Sequence, residues 1–131
     1  MPTIRRVVSR LKDICIDCAS PWTLGHWWAP VLGYAVRPHS DADLAQLEAD
    51  GFAGPENDPA IAVDPPGGVG PTVWFNRVPE PKRGKNRVHL DVYGDADELA
   101  AHGATVIDRQ DDWTVLADPE GNEFCVFAGP R

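Results

Sequence analysis

One order of elements, a strand, a helix and then three strands, is legible twice along this chain, over residues 11–80 and again over residues 84–131. The two stretches share little identity, so the repeat lies in the pattern. Polar and apolar side chains alternate where strands are expected, and apolar residues recur every three or four positions where helices are. A unit of this size cannot close a core of its own. Two units packed side by side bury their apolar strand faces under the helices and leave the other faces lining a shared cleft. The fold expected is α+β, a single domain over residues 1–131 made of two paired βαβββ modules.

The sharpest alternation is Asn86-Arg87-Val88-His89-Leu90-Asp91-Val92-Tyr93. As an extended strand it turns Val88, Leu90 and Val92 to a core and sets Arg87, His89 and Asp91 on the opposite face. An ordinary solvated strand face seldom carries a His two residues from an Asp. A carboxylate beside an imidazole raises its pKa and makes His89 the candidate general acid or base. The competing reading is a structural hydrogen-bonded pair near a strand end.

The other elements follow in order. Residues 1–10 are basic and aperiodic, a loose lead-in. The first strand, 11–18, places Ile14, Ile16 and Cys18 on one face and Asp13, Cys15 and Asp17 on the other. Ser20 offers an N-cap oxygen and Pro21 suits the first helical position. Leu24, Trp27, Trp28, Val31 and Leu32 then form a helical stripe that Gly33 ends, with Pro30 expected to kink or tighten the last turn. Tyr34 opens a second strand, and residues 41–50 read as a short helix burying Leu44 and Leu47, stopped by Gly51.

Residues 60–63 are the one credible strand in a Pro-, Gly- and acid-rich stretch. Residues 72–78 alternate again, Val73 and Phe75 opposite Thr72, Trp74 and Asn76. After the organising strand, Asp95 and Glu98 make a capping box for a helix ending at Gly103. Residues 104–108 and 113–117 pair as a hairpin, Asp118-Pro119-Glu120-Gly121 turns the chain, and residues 122–128 are the last strand, with Phe124 and Val126 opposite Glu123 and Cys125.

Charge and cysteine content exclude several functions. A formal net charge of −8 opposes binding to nucleic-acid backbones and to anionic membrane surfaces. No apolar run nears the roughly 20 residues of a membrane span, and no secretory signal is expected, so the protein is placed in the cytoplasm. Three cysteines do not make a disulfide framework and are expected to be reduced. Cys15 and Cys18 have redox-motif spacing, yet on a strand residues three apart face opposite ways, which argues against a shared metal or disulfide. The cluster Lys82, Arg83, Lys85 and Arg87 is either a solvated connector or an anion site.

Several stretches resemble one known family. Trp27-Trp28-Ala29-Pro30-Val31-Leu32-Gly33 is similar to its aromatic pair followed by Leu-Gly, and Asp118-Pro119-Glu120-Gly121-Asn122 to its last hairpin. Val78-Pro79-Glu80-Pro81-Lys82 and Asn86-Arg87-Val88-His89-Leu90-Asp91 resemble the small glyoxalase-like subgroup in particular. The chain is thus identified as a glyoxalase-like protein of the vicinal oxygen chelate superfamily, with glyoxalase I, extradiol dioxygenases and bleomycin-resistance proteins. The resemblance implies a half-open barrel, a homodimer, and a divalent metal held from the first, fourth, fifth and eighth strands. By position those ligands fall on Asp13, Thr72, His89 and Cys125, with Glu123 able to substitute for Cys125. His89 alone is the residue type active members carry there, thiolate favours zinc, and Thr is a poor ligand.

Three functions fit. The first is binding of a small organic molecule in the cleft, with lyase or isomerase chemistry open to it. Its contacts come from Asp13, Cys15, Asp17, Trp74, Asn76, His89, Asp91, Glu123 and Cys125, with Trp74 as the stacking wall. The second is metal-free sequestration of a toxic or antibiotic ligand, where Asp13 and Asp17 suit a cationic drug. The third is a metal-dependent lyase or dioxygenase with ligands drawn from Asp13, His89, Glu123 and Cys125. Fold alone does not choose among them.

Overall fold

The computed structural model describes residues 6–129. Two four-stranded mixed sheets stand in an open, unclosed arrangement, each built of one module. In module one, β1 (Asp13–Cys18) leads to α1 (Pro21–Leu32), β2 (Ala35–Val36), α2 (Asp41–Ala49), β3 (Ala60–Asp64) and β4 (Thr72–Arg77), in spatial order β1-β4-β3-β2. In module two, β5 (Asp91–Tyr93) leads to α3 (Ala96–His102), β6 (Thr105–Arg109), β7 (Trp113–Ala117) and β8 (Glu123–Phe127), in order β5-β8-β7-β6. The expected βαβββ series occurs in both. Module one adds α2 and two 3-10 turns at Pro55–Asn57 and Pro66–Gly68.

Each module puts its first and last strands side by side in parallel, β1 with β4 and β5 with β8, because the helix carries the chain back across the sheet. The register sets Asp13, Cys15 and Asp17 beside Thr72, Trp74 and Asn76 on one face. In module two it sets Asp91 beside Cys125 and Tyr93 beside Phe127.

The core lies under the opposite faces, where Trp28, Phe75, Phe124, Leu24, Val63 and Leu116 are buried. Helix α1 serves both sheets. Gly25 lets it sit against β3 and β4, since a Cβ there would stand 3.0 Å from Ile61 Cγ2. Trp27 and Trp28 reach module two, with ring centroids 5.9 and 4.8 Å from Phe124. Trp27 Nε1–H donates to the His102 carbonyl at 2.8 Å, and His102 Nε2 lies 2.9 Å from the Trp27 carbonyl, so α1 and α3 are cross-tied.

Several local expectations are corrected. The organising strand is regular only over Asp91–Tyr93; Arg87 and Val88 form a bend, and Val88 is 79% exposed while Leu90 and Val92 do pack on the core. The cause is Asn86, which is drawn aside to β8: its backbone N–H donates to Glu123 Oε1 at 2.9 Å and its side-chain oxygen accepts from the Glu123 N–H. Ser20 stands at the N-cap of α1 but its side chain makes no capping bond. Glu120 of the last turn instead holds the chain just before the helix, accepting from the Ala19 and Ser20 N–H groups. Leu47 is buried in α2, whereas Leu44 is exposed, because the short helix meets module one along a single line. Asp95 caps α3 through the Asp97 N–H, one residue short of Glu98.

Other expectations match. Gly33 adopts the left-handed conformation (φ 68°) that ends α1, which runs on through Pro30 to Leu32. The turn after β7 closes with Gly121 N–H on the Asp118 carbonyl, and the β6–β7 hairpin carries a bulge between Val106 and Asp108. Of the lead-in, residues 6–10 form no regular element and the first five residues lie outside the described residues.

Candidate functional site

The side chains singled out from sequence fall into two neighbourhoods. A cavity of about 200 Å³ lies where β1 of module one meets the 86–90 segment and the start of β8. Ile14, Ile16, Trp28, Leu90 and Phe124 give it an apolar wall, while Cys15, Asp17, His89 and Glu123 supply polar groups. This is a junction between modules, which is where small-molecule sites tend to form.

Trp74 lies elsewhere. It faces a second cavity of about 300 Å³ beside α2, with Arg37, His39, Phe52 and Asp58. The Arg37 guanidinium sits 5.1 Å from the Trp74 ring centroid, so that indole face already holds a cation. Asn76 lines neither cavity.

His89, which lines the first cavity, also converges with two groups of module two that do not line it, Asp91 and Cys125. His89 Nδ1 is 3.2 Å from Asp91 Oδ1, and one ligand atom each of His89, Asp91 and Cys125 lies within 4.8 Å of the others. Strand pairing explains the closeness of Asp91 and Cys125, which are register partners across β5 and β8. His89 precedes the regular strand and reaches back over it. Burial, and after it the Asp91 charge, pushes the Cys125 thiol above its ordinary pKa.

The four-strand ligand set implied by resemblance is not assembled within one chain. Asp13 accepts from Lys12 Nζ at 2.6 Å and from Trp74 Nε1–H at 3.1 Å, and the Lys12 bond holds its carboxyl below the usual range. The Thr72 hydroxyl donates to Asp64 at 2.6 Å. Glu123 and Cys125 share a face of β8, but Glu123 is engaged by the connector. The Asn86 N–H, Lys85 and Lys82 lower its pKa, with the lysine nitrogens at 3.3 and 3.4 Å. His89, Asp91 and Cys125 are left as a nitrogen, oxygen and sulfur set, a donor combination that fits a borderline divalent ion.

Sequence reasoning missed two features. Asp118 is 3% exposed and accepts from Trp28 Nε1–H at 2.9 Å, from the Glu120 and Asn122 N–H groups, and from the Asn122 side chain. It ties the last turn to α1 beneath the cavity, a role that the polar turn alone could not reveal. The second is the pair His39 Nε2 and Asp58 Oδ2, 2.8 Å apart and largely buried, whose partners are 19 residues apart in loops.

Two four-stranded sheets of matching strand order, sharing α1 between them, define the class as a glyoxalase-fold protein. Residues 13–127 match the family model described as a glyoxalase-like domain, and the chain belongs to that family. No match was found among curated proteins. Among solved structures, the chain is similar to a glyoxalase/bleomycin resistance protein/dioxygenase family enzyme from Burkholderia phytofirmans PsJN, at 19% identity and TM-score 0.60, covering 90% of this chain and 97% of that one. It is also similar to a mutant of the fosfomycin resistance protein FosX from Listeria monocytogenes complexed with Mn(II) and 1S,2S-dihydroxypropylphosphonic acid, at 10% identity and TM-score 0.61, covering 95% and 93%. TioX from Micromonospora sp. ML1 follows at 19% identity and TM-score 0.53, covering 94% and 98%. These likenesses establish the fold. No helix of the described residues is long and apolar enough to cross a membrane.

Proposed function

We propose that the chain binds a small organic molecule in the cavity between β1 and the 86–90 segment, with His89 and Asp91 as its polar contacts. The observation that carries this reading is a cavity at the junction of the modules with an apolar wall and His89 in its lining, the imidazole being paired with Asp91 outside that lining. The apolar wall supplies affinity through burial, and the few polar groups orient the ligand. A His beside an Asp can hold or move a proton at its ring nitrogen, which suits lyase or isomerase chemistry on a carbonyl or hydroxyl compound.

A metal-dependent lyase or dioxygenase is the second reading, favoured by the convergence of His89, Asp91 and Cys125. Sequestration of a cationic drug draws less support, because Asp13 is already paired with Lys12 and only Asp17 remains at the cavity. The protein is proposed to act in the cytoplasm as a homodimer. Tyr93 and Trp113, exposed to either side of the half-buried Phe127 and in register with it across β5, β8 and β7, form the aromatic row that a second copy would cover.

The test is a thermal-shift screen of small carbonyl, diol and aromatic compounds against the wild-type chain, His89→Ala and Trp74→Ala. Compounds that stabilise the wild type should lose about tenfold or more in affinity with His89→Ala, as expected for loss of a charged or buried hydrogen bond, and little with Trp74→Ala. The opposite ranking would move the site to the α2 cavity and contradict the reading.

A further inference from the structure

Residues 6–12 precede β1 and form no regular element, yet they are not an ordinary polar tail. Val7, Val8 and Leu11 lie open to water, 72%, 87% and 74% exposed. Three apolar side chains in so short a segment gain free energy by meeting a surface that covers them. The segment is also basic. Among the described residues neither Arg6 nor Arg10 has an ion-pair partner, while Lys12 is held by Asp13.

Module two offers the complementary surface. Tyr93 and Trp113 flank Phe127 across β5, β8 and β7, and Trp113 stacks on Phe127 with ring centroids 6.2 Å apart. Beside Trp113 is a hollow of about 300 Å³ whose lining includes Asp95, Asp111 and Asp112. Asp111 and Asp112 are exposed and have no ion-pair partner among the described residues. An uncovered aromatic row thus has an acidic rim, and an uncovered apolar segment carries basic side chains.

We propose that residues 6–12 of one copy dock across the aromatic row of a second copy, with Arg6 and Arg10 on the acidic rim, a step that rests on the homodimer reading. Each copy gives one such arm and receives one. The dimensions agree. In an extended segment Val7 and Leu11 share a face and stand about 13 Å apart, while the outer strands of the row, two strand spacings apart, are separated by about 10 Å. One arm can therefore lay an apolar side chain at each end of the row. The long stems of Arg6 and Arg10 carry their charged ends over the edge to the carboxylates. Charge selects the occupant, because two chains of net charge −8 approach each other against repulsion. Setting the basic arm of each on the acidic rim of the other places opposite charges in contact, and a two-fold axis makes that contact twice.

The experiment is sedimentation velocity on the full chain and on two charge-reversed variants, Arg6→Glu/Arg10→Glu and Asp111→Arg/Asp112→Arg. All four positions are exposed, and circular dichroism checks that each variant is folded. The wild type is expected to dimerise. Each variant alone should dimerise about tenfold or more weakly, since every arm then meets a rim of its own sign. An equimolar mixture of the two variants should recover dimers, because each arm again meets a rim of opposite charge. No recovery on mixing, as an arm folded onto its own chain requires, would overturn the proposal. Dimers that both variants keep at full strength would overturn it too, while leaving the homodimer reading in place. A monomeric wild type would overturn both.

Discussion

At the residue scale, the junction of the modules depends on one buried carboxylate. Asp118 satisfies the Trp28 indole N–H and the backbone of its own turn. Replacing it with Ala leaves a buried indole donor and two turn N–H groups without their acceptor. Asp118→Ala is expected to cost about 3 kcal/mol in urea denaturation, and Asp118→Asn less, since its amide oxygen still accepts. A loss under about 0.5 kcal/mol, ordinary for an unremarkable surface site, would contradict this role. Asp64 governs a different property. The paired Arg37 guanidinium at 2.8 Å, with Thr72 adding a hydrogen bond, pulls its carboxyl down to about 2. Its folded pKa lies below the unfolded value near 3.9. Its stabilisation is therefore present above about pH 4 and is lost as pH falls toward 2. Asp64→Asn should flatten the acid limb of a stability-versus-pH curve over that window; an unchanged limb would assign the acid sensitivity to other carboxylates.

At the element scale, α1 holds the two sheets together by close approach on one side and aromatic contact on the other. Gly25→Val pushes a branched side chain into Ile61 and Phe75, whose nearest atoms already stand 3.0 and 3.4 Å from where a Cβ would be. Overpacking of this kind costs about 1–3 kcal/mol, and the loss should appear as a lower midpoint with an unchanged m-value. The strands and helices themselves were legible from sequence because two- and four-residue periods survive wherever one face is buried. Cys15 and Cys18 behave as the strand rule demands, the first exposed and the second buried, its thiol raised to about 12 chiefly by burial. The 86–93 segment was legible only in part. Its alternation is real, but Asn86 pairs with Glu123 across a 37-residue separation, and that long-range bond bends the chain at Val88. Leu44 shows the same limit, since a helical stripe tells which residues share a face but not how much of it a partner covers.

At the scale of the whole molecule, the sequence identified the faces and missed how they are divided. Trp74 sits on the polar face of β4, and His89 on the irregular segment just before β5. Trp74 faces the cavity beside α2, while His89 lines the one at the junction, so the polar side chains are divided between two cavities. Nothing in residue spacing encodes that division, because it follows from how two sheets sit on a shared helix. The aromatic row of module two belongs to this scale as well. Tyr93 and Trp113 are 59% and 40% exposed, more apolar surface than an isolated strand face usually offers to water. Light scattering should report a dimer for the wild type and a monomer for Trp113→Glu with unchanged far-UV circular dichroism; a monomeric wild type at high micromolar concentration would remove the proposed second copy.

The most direct test of the central claim is amide chemical-shift mapping of the isotopically labelled chain with the strongest compound from the thermal-shift screen. The proposed site predicts perturbations grouped at Cys15, Asp17, His89, Leu90 and Glu123, around the cavity at the junction of the modules. Perturbations grouped instead at Arg37, His39, Asp58 and Trp74 would place the ligand beside α2 and contradict it.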